Sequence, residues 1–89
     1  MRRLVTTSRF RKDVRRIEKR GLRAERLFTI VRDIRMHGAP PESARPHRLV
    51  GSWTSHLECH IGYDWLLIYQ VDEEEVRLYR TGTHSDLFG

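Results

Sequence analysis

The sequence predicts an α+β fold in which an N-terminal short strand and an antiparallel helical hairpin pack on an antiparallel β-sheet. The main observation is a change in hydrophobic spacing, from helical before residue 40 to alternating after residue 47. All three prolines lie between these regions, in the segment APPESARP, which predicts a connecting loop. No repeat or low-complexity segment interrupts the chain, so residues 1–89 are expected to form a single domain.

The first predicted elements are a short strand and a basic amphipathic helix. The β-prone run RLVTT precedes Ser8, a residue suited to capping a helix. In the segment that follows, Phe10, Val14 and Ile17 lie on one helical face, while arginine and lysine dominate the other positions. Gly21 can adopt the left-handed conformation that ends a helix. This pattern predicts a helix with an apolar stripe against the core and a charged face in solvent.

A second helix is predicted from about Ala24 to His37, with Gly38 at its end. Its apolar face consists of aliphatic residues at helical spacing, which are Leu27, Ile30, Val31 and Ile34. Because the link between the two helices is short, they are expected to run antiparallel as a hairpin.

The C-terminal half predicts an antiparallel meander. The run HRLV is a short strand, and the run HLECHI alternates, with Cys59 on one side and Glu58 and His60 on the other. The run DWLLIYQV is apolar at nearly every position, as in a central strand that is covered on both faces. A polar turn, DEEE, then leads to VRLYRT, which is expected to return along the preceding strand.

Charge and composition narrow the function classes. The chain has 17 Lys and Arg residues against 12 Asp and Glu, a formal charge of +5, and a pI of about 10.1. This excess favours a polyanionic partner, with nucleic acid first. The longest apolar run, WLLIY, is too short to cross a bilayer, and no signal peptide is recognisable, so no membrane partner is expected. The single cysteine, Cys59, favours a reducing, cytoplasmic setting.

Four of the five histidines lie in the sheet-forming half, which raises the question of a metal site. His56 and His60 are four positions apart, and on a strand this spacing spans about 13 Å, too far for both to bind one ion. Cys59 points to the opposite side from His60, and no CxxC or HExxH pattern is present. A metal site would require residues from different strands to converge, so neither a metal nor another cofactor is expected.

Acid–base chemistry without a metal is the alternative. The turn at residues 62–63 brings His60 close to Asp64. An antiparallel last strand returns Arg80 to the same edge, and His84 lies just beyond it. These four side chains are therefore expected to gather at one end of the sheet. Such a set suits RNA cleavage, because the 2′-OH next to the scissile phosphate is a nucleophile that the substrate itself supplies.

Each residue type matches one task in that reaction. Histidine takes and gives protons near neutral pH, and arginine stabilises phosphoryl oxygens with its fixed fork of donors. Trp65 or Phe88 can stack on a base and hold the strand in place. Two other classes stay open at this point. One is a non-catalytic basic module that binds nucleic acid or protein, and the other is a zinc-bound structural domain, which the sequence supports least.

Three motifs, HRLVGSW, ECHIGYDWLLIYQV and RTGTHSDLF, occur in this order over most of the C-terminal half. Together they resemble the YafQ branch of the RelE-like toxins of bacterial type II toxin–antitoxin systems. The resemblance implies a RelE-like, microbial ribonuclease-like fold and a ribosome-dependent mRNA endonuclease that cuts message in the ribosomal A site and inhibits translation. It also implies a cognate acidic antitoxin as a partner, beside mRNA and the ribosome, and a toxin that is monomeric when free.

The resemblance further implies a set of functional residues within the three motifs. The catalytic positions are His47, His60, Asp64, Arg80 and His84, and the substrate-binding positions are Trp65 and Phe88. His84 is interpreted as a proton donor or acceptor, with His60 and Asp64 as its counterparts. Arg80 is assigned to the phosphate. Neither the residues nor the resemblance decides which histidine is the base and which is the acid.

Overall fold

The computed structural model describes residues 1–53 and 55–89, with Ser52 described by its backbone only. The strands are β1 (Arg3–Thr6), β2 (His47–Arg48), β3 (Leu57–Gly62), β4 (Trp65–Val71) and β5 (Glu75–Gly82). The helices are α1 (Ser8–Lys19), α2 (Ala24–His37) and α3 (His84–Phe88), with short 3-10 helices at Glu42–Ala44 and Gly51–Trp53. The strands form one sheet in the order β1-β5-β4-β3-β2. In the described part of the chain, no helix has the length and apolar character needed to span a membrane.

The α+β class and the antiparallel meander are confirmed. Strands β2 to β5 pair antiparallel in sequence order. The edge strand β1 differs from the prediction, because it runs parallel to β5, with Leu4 opposite Val76. Parallel pairing needs a long connection rather than a hairpin, and most of the chain, including α1 and α2, lies between β1 and β5. The sheet is therefore mixed at this one edge.

The helical hairpin packs on one face of the sheet. Thr7, rather than Ser8, caps α1, because its Oγ1 accepts a hydrogen bond from the backbone N of Phe10 at 3.0 Å. Gly38 ends α2 in the left-handed conformation, as predicted. The core on this face contains Phe10, Ile17, Leu27, Val31, Ile34, Cys59, Ile61, Leu67 and Tyr69. Burial raises the pKa of Cys59 to about 12, which excludes this thiol as a nucleophile at neutral pH.

The opposite face of the sheet has a smaller core. Leu66 and Ile68, which alternate with the helix-facing residues of β4, pack there with Leu87 of α3. Partly buried Leu49, Trp53 and Tyr79 extend this second cluster. Strand β4 is thus covered on both faces, as its apolar sequence predicted. The contact through Leu87 holds α3 against the sheet, and α3 begins at His84.

A buried carboxylate joins α1 to β5. Asp13 of α1 is 4% exposed and Arg80 of β5 is 7% exposed. The Nε of Arg80 donates to Asp13 Oδ2 at 2.6 Å, and its Nη2 donates to Oδ1 at 3.2 Å. The backbone N of Thr81 and the Nη2 of Arg16 also donate to this carboxylate, at 3.1 and 2.7 Å. Four hydrogen bonds from three residues therefore compensate the buried negative charge.

A second ion pair joins α1 to α3. Asp86 closes a capping box with Thr83 at the start of α3, and its carboxylate accepts hydrogen bonds from Arg20 at 2.6 and 3.1 Å. These Arg20 bonds are the largest cause holding the pKa of Asp86 far below its ordinary value of 3.8, while burial acts in the opposite direction. The charged form of Asp86 thus stabilises the position of α3.

The Asp13→Asn substitution should destabilise the protein by about 3–5 kcal/mol, because it leaves the guanidinium of Arg80 buried without its counter-charge. The free energy of unfolding, measured by urea titration, gives the comparison. Glu18→Gln is the matched control, since Glu18 lies on the same helix but is exposed. Equal stabilities for the two variants would show that the Asp13–Arg80 pair contributes little.

Asp86 should make stability sensitive to acid. A carboxylate with a depressed folded-state pKa stabilises the fold above its unfolded pKa and loses that contribution as pH falls toward the folded value. We expect the free energy of unfolding to decrease from about pH 5 downward, and to decrease less in Asp86→Asn than in the parent. Urea titrations at several pH values measure this difference. The exposed Glu73→Gln serves as control and should keep the parent's acid dependence.

Candidate active site

Strand register places the ends of three elements at one edge of the sheet. His60 of β3 lies opposite Leu66 of β4, and Leu66 lies opposite Gly82 of β5. The β3–β4 turn and the start of α3 therefore meet at the same end of the sheet. A register shift between His60 and Gly62 marks a bulge beside this turn. Bulges of this kind re-aim side chains next to functional sites.

Asp64 and His84 form a direct contact at this end. The Oδ1 of Asp64 accepts a hydrogen bond from the backbone N of His84 at 2.9 Å and lies 2.7 Å from His84 Nδ1. Hydrogen bonds from the backbone and then the side chain of His84 lower the pKa of Asp64. An ionised carboxylate only accepts, so Nδ1 of His84 carries the proton in this contact. Nε2 of His84 is thereby left to exchange a proton with a ligand.

A cleft of about 260 Å³ lies beside this pair and is lined by Arg45, His60, Tyr63, Asp64 and His84. His60 is partly buried, and within the described residues its ring makes no hydrogen bond. Burial and, next, the positive charge of Arg45 lower the pKa of His60, while Glu58 acts in the opposite direction. The imidazole of His60 is therefore favoured in its neutral, proton-accepting form.

His47 and Glu58 extend the site along the sheet. His47 of β2 pairs with Glu58 of β3, and His47 Nε2 lies 3.1 Å from Glu58 Oε1. The rings of His47 and His60 have centroids 6.0 Å apart. Glu58 is buried, and its Oε2 has no hydrogen-bond partner among the described residues. The sequence placed Glu58 and His60 on one strand face, and the structure adds His47 from the neighbouring strand.

These three residues can hold a metal ion. One ligand atom from each of His47, Glu58 and His60 lies within 4.8 Å of the others, and imidazole and carboxylate are suitable ligands for zinc or copper. The sequence analysis tested His56 with His60 instead. The structure keeps that pair apart, because His56 packs against the rings of Trp53 and Tyr79. The set that converges comes from two strands, and spacing along one strand does not reveal it.

Two predicted site residues lie elsewhere than expected. Arg80 is buried in its ion pair with Asp13 rather than lining the cleft. Trp65 is 3% exposed, and its Nε1 donates to Thr81 Oγ1 at 2.9 Å, so its faces are not open to a base. Phe88 is 49% exposed at the end of α3 and is available for stacking. Both residues are buried, since the first pairs with a carboxylate on α1 and the second belongs to the core. Their roles in the reaction stay predictions.

Sequence reasoning missed Arg45 and Tyr63 as lining residues of the cleft. Tyr63 was seen only as part of a turn, and its side chain is fully exposed beside the cleft. Arg45 precedes Pro46, a position that normally takes extended backbone, but it adopts the left-handed conformation with φ 49°. The one available signal was its place two residues before His47, at the start of the first motif.

Comparisons with known proteins agree with this architecture. The family described as bacterial toxin of type II toxin–antitoxin system, YafQ, matches residues 2–89. The mRNA interferase toxin YafQ of Escherichia coli is 35% identical over 81 residues, which cover 90% of this chain and 88% of that protein. YafQ in the crystal structure of the E. coli DinJ–YafQ complex superposes with a TM-score of 0.89 at 32% identity, over 100% of both chains. A metal-bound toxin from Helicobacter pylori superposes with a TM-score of 0.87 at 32% identity, over 99% of this chain and 100% of the other.

The resemblance that the three motifs indicated is thus confirmed over nearly the whole chain. The match includes the helical hairpin, whose sequence pattern alone was weak evidence. The chain belongs to the YafQ family of bacterial toxins of type II toxin–antitoxin systems.

Proposed function

We propose that this protein is an endoribonuclease that cleaves mRNA in the ribosomal A site and so inhibits translation. The observation that carries the proposal is the contact between Asp64 and His84 beside His60, in one cleft. The formal charge of +5 supports an RNA substrate. The similar E. coli protein, named an mRNA interferase toxin, supports the reaction class.

The reaction uses the 2′-OH of the substrate as nucleophile and needs no metal-generated hydroxide. His60 takes the proton from the 2′-OH, because its lowered pKa keeps it neutral. His84 gives a proton from Nε2 to the departing 5′-oxygen. Asp64 accepts a hydrogen bond from Nδ1–H of His84 and thereby fixes the orientation of the ring. His47 and Glu58 lie next to His60 on β2 and β3, outside the lining of the cleft.

Phe88 and Arg80 take different parts in this scheme. Phe88 is half exposed on the same short helix as His84, and we propose that it stacks on a base of the bound message. Arg80 holds β5 against α1 through Asp13. Its contribution to cleavage is therefore indirect, through the position of the segment that leads from β5 to His84.

We also propose a cognate acidic antitoxin as the partner that neutralises the toxin in the cytoplasm. The solved E. coli DinJ–YafQ complex contains a toxin of the same fold. The basic charge of this chain complements an acidic partner. The free toxin is proposed to be a monomer.

The His84→Ala substitution should lower the rate of message cleavage by roughly 10²–10⁴, the usual contribution of one acid–base group. The assay is cleavage of message on purified ribosomes, with the new 5′ ends mapped by primer extension. His37→Ala, at the exposed end of α2, removes an imidazole outside the cleft and should cleave like the parent.

A different set of variant phenotypes would support a non-catalytic basic module that binds nucleic acid or protein. In that case His84→Ala would arrest growth like the parent, while alanine at exposed Arg9 or Arg15 of α1 would abolish RNA binding. RNA binding and cleavage therefore need to be measured separately for each variant. Full activity of both His84→Ala and His60→Ala would contradict the proposed mechanism.

Chelation of transition metals should leave cleavage unchanged, because the proposed chemistry uses side chains and the substrate hydroxyl only. The toxin is treated with EDTA, the chelator is removed, and the Mg²⁺ that ribosomes need is restored before the assay. Elemental analysis of the treated protein confirms that zinc and copper are absent. Loss of cleavage that zinc restores would contradict the metal-free mechanism and assign a role to His47, Glu58 and His60 as ligands.

A further inference from the structure

We propose that Arg45 is the arginine that binds an RNA phosphate in the cleft. This inference rests on the proposed ribonuclease function and deepens it. Cleavage places additional negative charge on the phosphoryl oxygens, and a guanidinium is suited to stabilise it. The sequence assigned this task to Arg80, which is buried against Asp13. Arg45 is the arginine that the described residues place on the cleft wall.

The first observation is the position of Arg45 relative to the histidines of the cleft. Arg45 lines the 260 Å³ cleft together with His60, Asp64 and His84. It also lines the neighbouring cavity of about 460 Å³, on the side toward α2, again with His60. Arg45 and His60 therefore line the same two cavities. A phosphate placed between the two histidines would therefore lie beside a positive charge.

The second observation is that the guanidinium of Arg45 has no hydrogen-bond or ion-pair partner among the described residues. Asp64, the carboxylate that lines the same cleft, is in contact with His84 instead. The five N–H donors of Arg45 thus remain available for the oxygens of a ligand.

The third observation is the backbone that holds Arg45. It ends the 3-10 helix Glu42–Ala44 with φ 49° and ψ 60°, a left-handed conformation that is uncommon for a residue other than glycine. Its N–H donates to Glu42 O at 2.9 Å, and its carbonyl accepts from His47 Nδ1 at 3.1 Å. Residues held in sparsely populated conformations cluster at functional sites. The hydrogen bond from His47 Nδ1 links this left-handed residue to a predicted histidine of the site.

An exposed arginine in solvent is common, so a discriminating experiment is needed. The variants are Arg45→Ala and Arg45→Lys, with Arg3→Ala as the matched control. Arg3 is exposed and lies on β1, at the opposite edge of the sheet from β2. Each protein is assayed for single-turnover cleavage of ribosome-bound message, and its RNA binding is measured separately at increasing salt.

Arg45→Ala should lower the cleavage rate by roughly 10²-fold, as loss of one donor to a developing oxyanion does. Arg45→Lys should restore part of the rate, because it keeps the charge but not the fork of donors. Binding of RNA to Arg45→Ala should also depend less steeply on salt, by about one phosphate contact. Arg3→Ala should match the parent both in the cleavage rate and in the salt dependence of RNA binding.

The outcomes separate this inference from the proposed function. If Arg45→Ala cleaves like the parent while His84→Ala is impaired, the inference is overturned and the ribonuclease proposal stands. If neither variant is impaired, the ribonuclease proposal fails and the inference fails with it. If Arg45→Ala and Arg45→Lys lose cleavage equally and both unfold at lower urea concentration than Arg3→Ala, the role of Arg45 is structural and the inference is overturned.

Discussion

The position of the cleft depends on one buried carboxylate, that of Asp13. A buried charge is tolerated only where opposite charge and hydrogen-bond donors surround it, and Asp13 has both from Arg80, Thr81 and Arg16. This requirement fixes α1 against the end of β5. The same helix then holds α3 through Arg20 and its ion pair with Asp86. Because α3 begins at His84, two charge contacts of α1 determine where that imidazole lies.

The charges of the molecule are divided between those that hold the fold and those that stay open to a ligand. Arg16, Arg20 and Arg80 are bound to carboxylates that join secondary structure elements. At the cleft, Asp64 and Glu58 are bound to histidines instead. These contacts orient the imidazole rings, and each carboxylate is paired with a histidine rather than with an arginine. The cleft wall consequently keeps a positive character, which suits a phosphate better than it suits a carboxylate substrate.

Much of this arrangement was predictable from local pattern, and the rest depended on contacts distant in sequence. The alternation in HLECHI fixed the face of His60, and hairpin register brought Asp64 and His84 to the same end. The burial of Arg80 was not predicted, because its partner Asp13 lies 67 positions away on a helix, and the strand pattern does not show how that helix packs. The burial of Trp65 was not predicted either, because an apolar run does not distinguish an indole in the core from one that is free to stack on a base. The place of Arg45 on the cleft wall was not predicted, because it lies in the loop before β2, where no periodic pattern gives a side chain's direction.

Native structures satisfy nearly all buried polar atoms, but two side-chain atoms are buried without a partner among the described residues, Nε of Arg16 and Oε2 of Glu58. The first belongs to the ion pairs of α1, whereas the second lies beside the unbonded ring of His60. A ligand that binds next to His60 would supply the contact that Glu58 lacks. His60 belongs both to this cleft and to the metal-competent set with His47 and Glu58. An imidazole nitrogen that coordinates a metal cannot accept a proton at the same time, so these two uses of His60 exclude each other at that nitrogen.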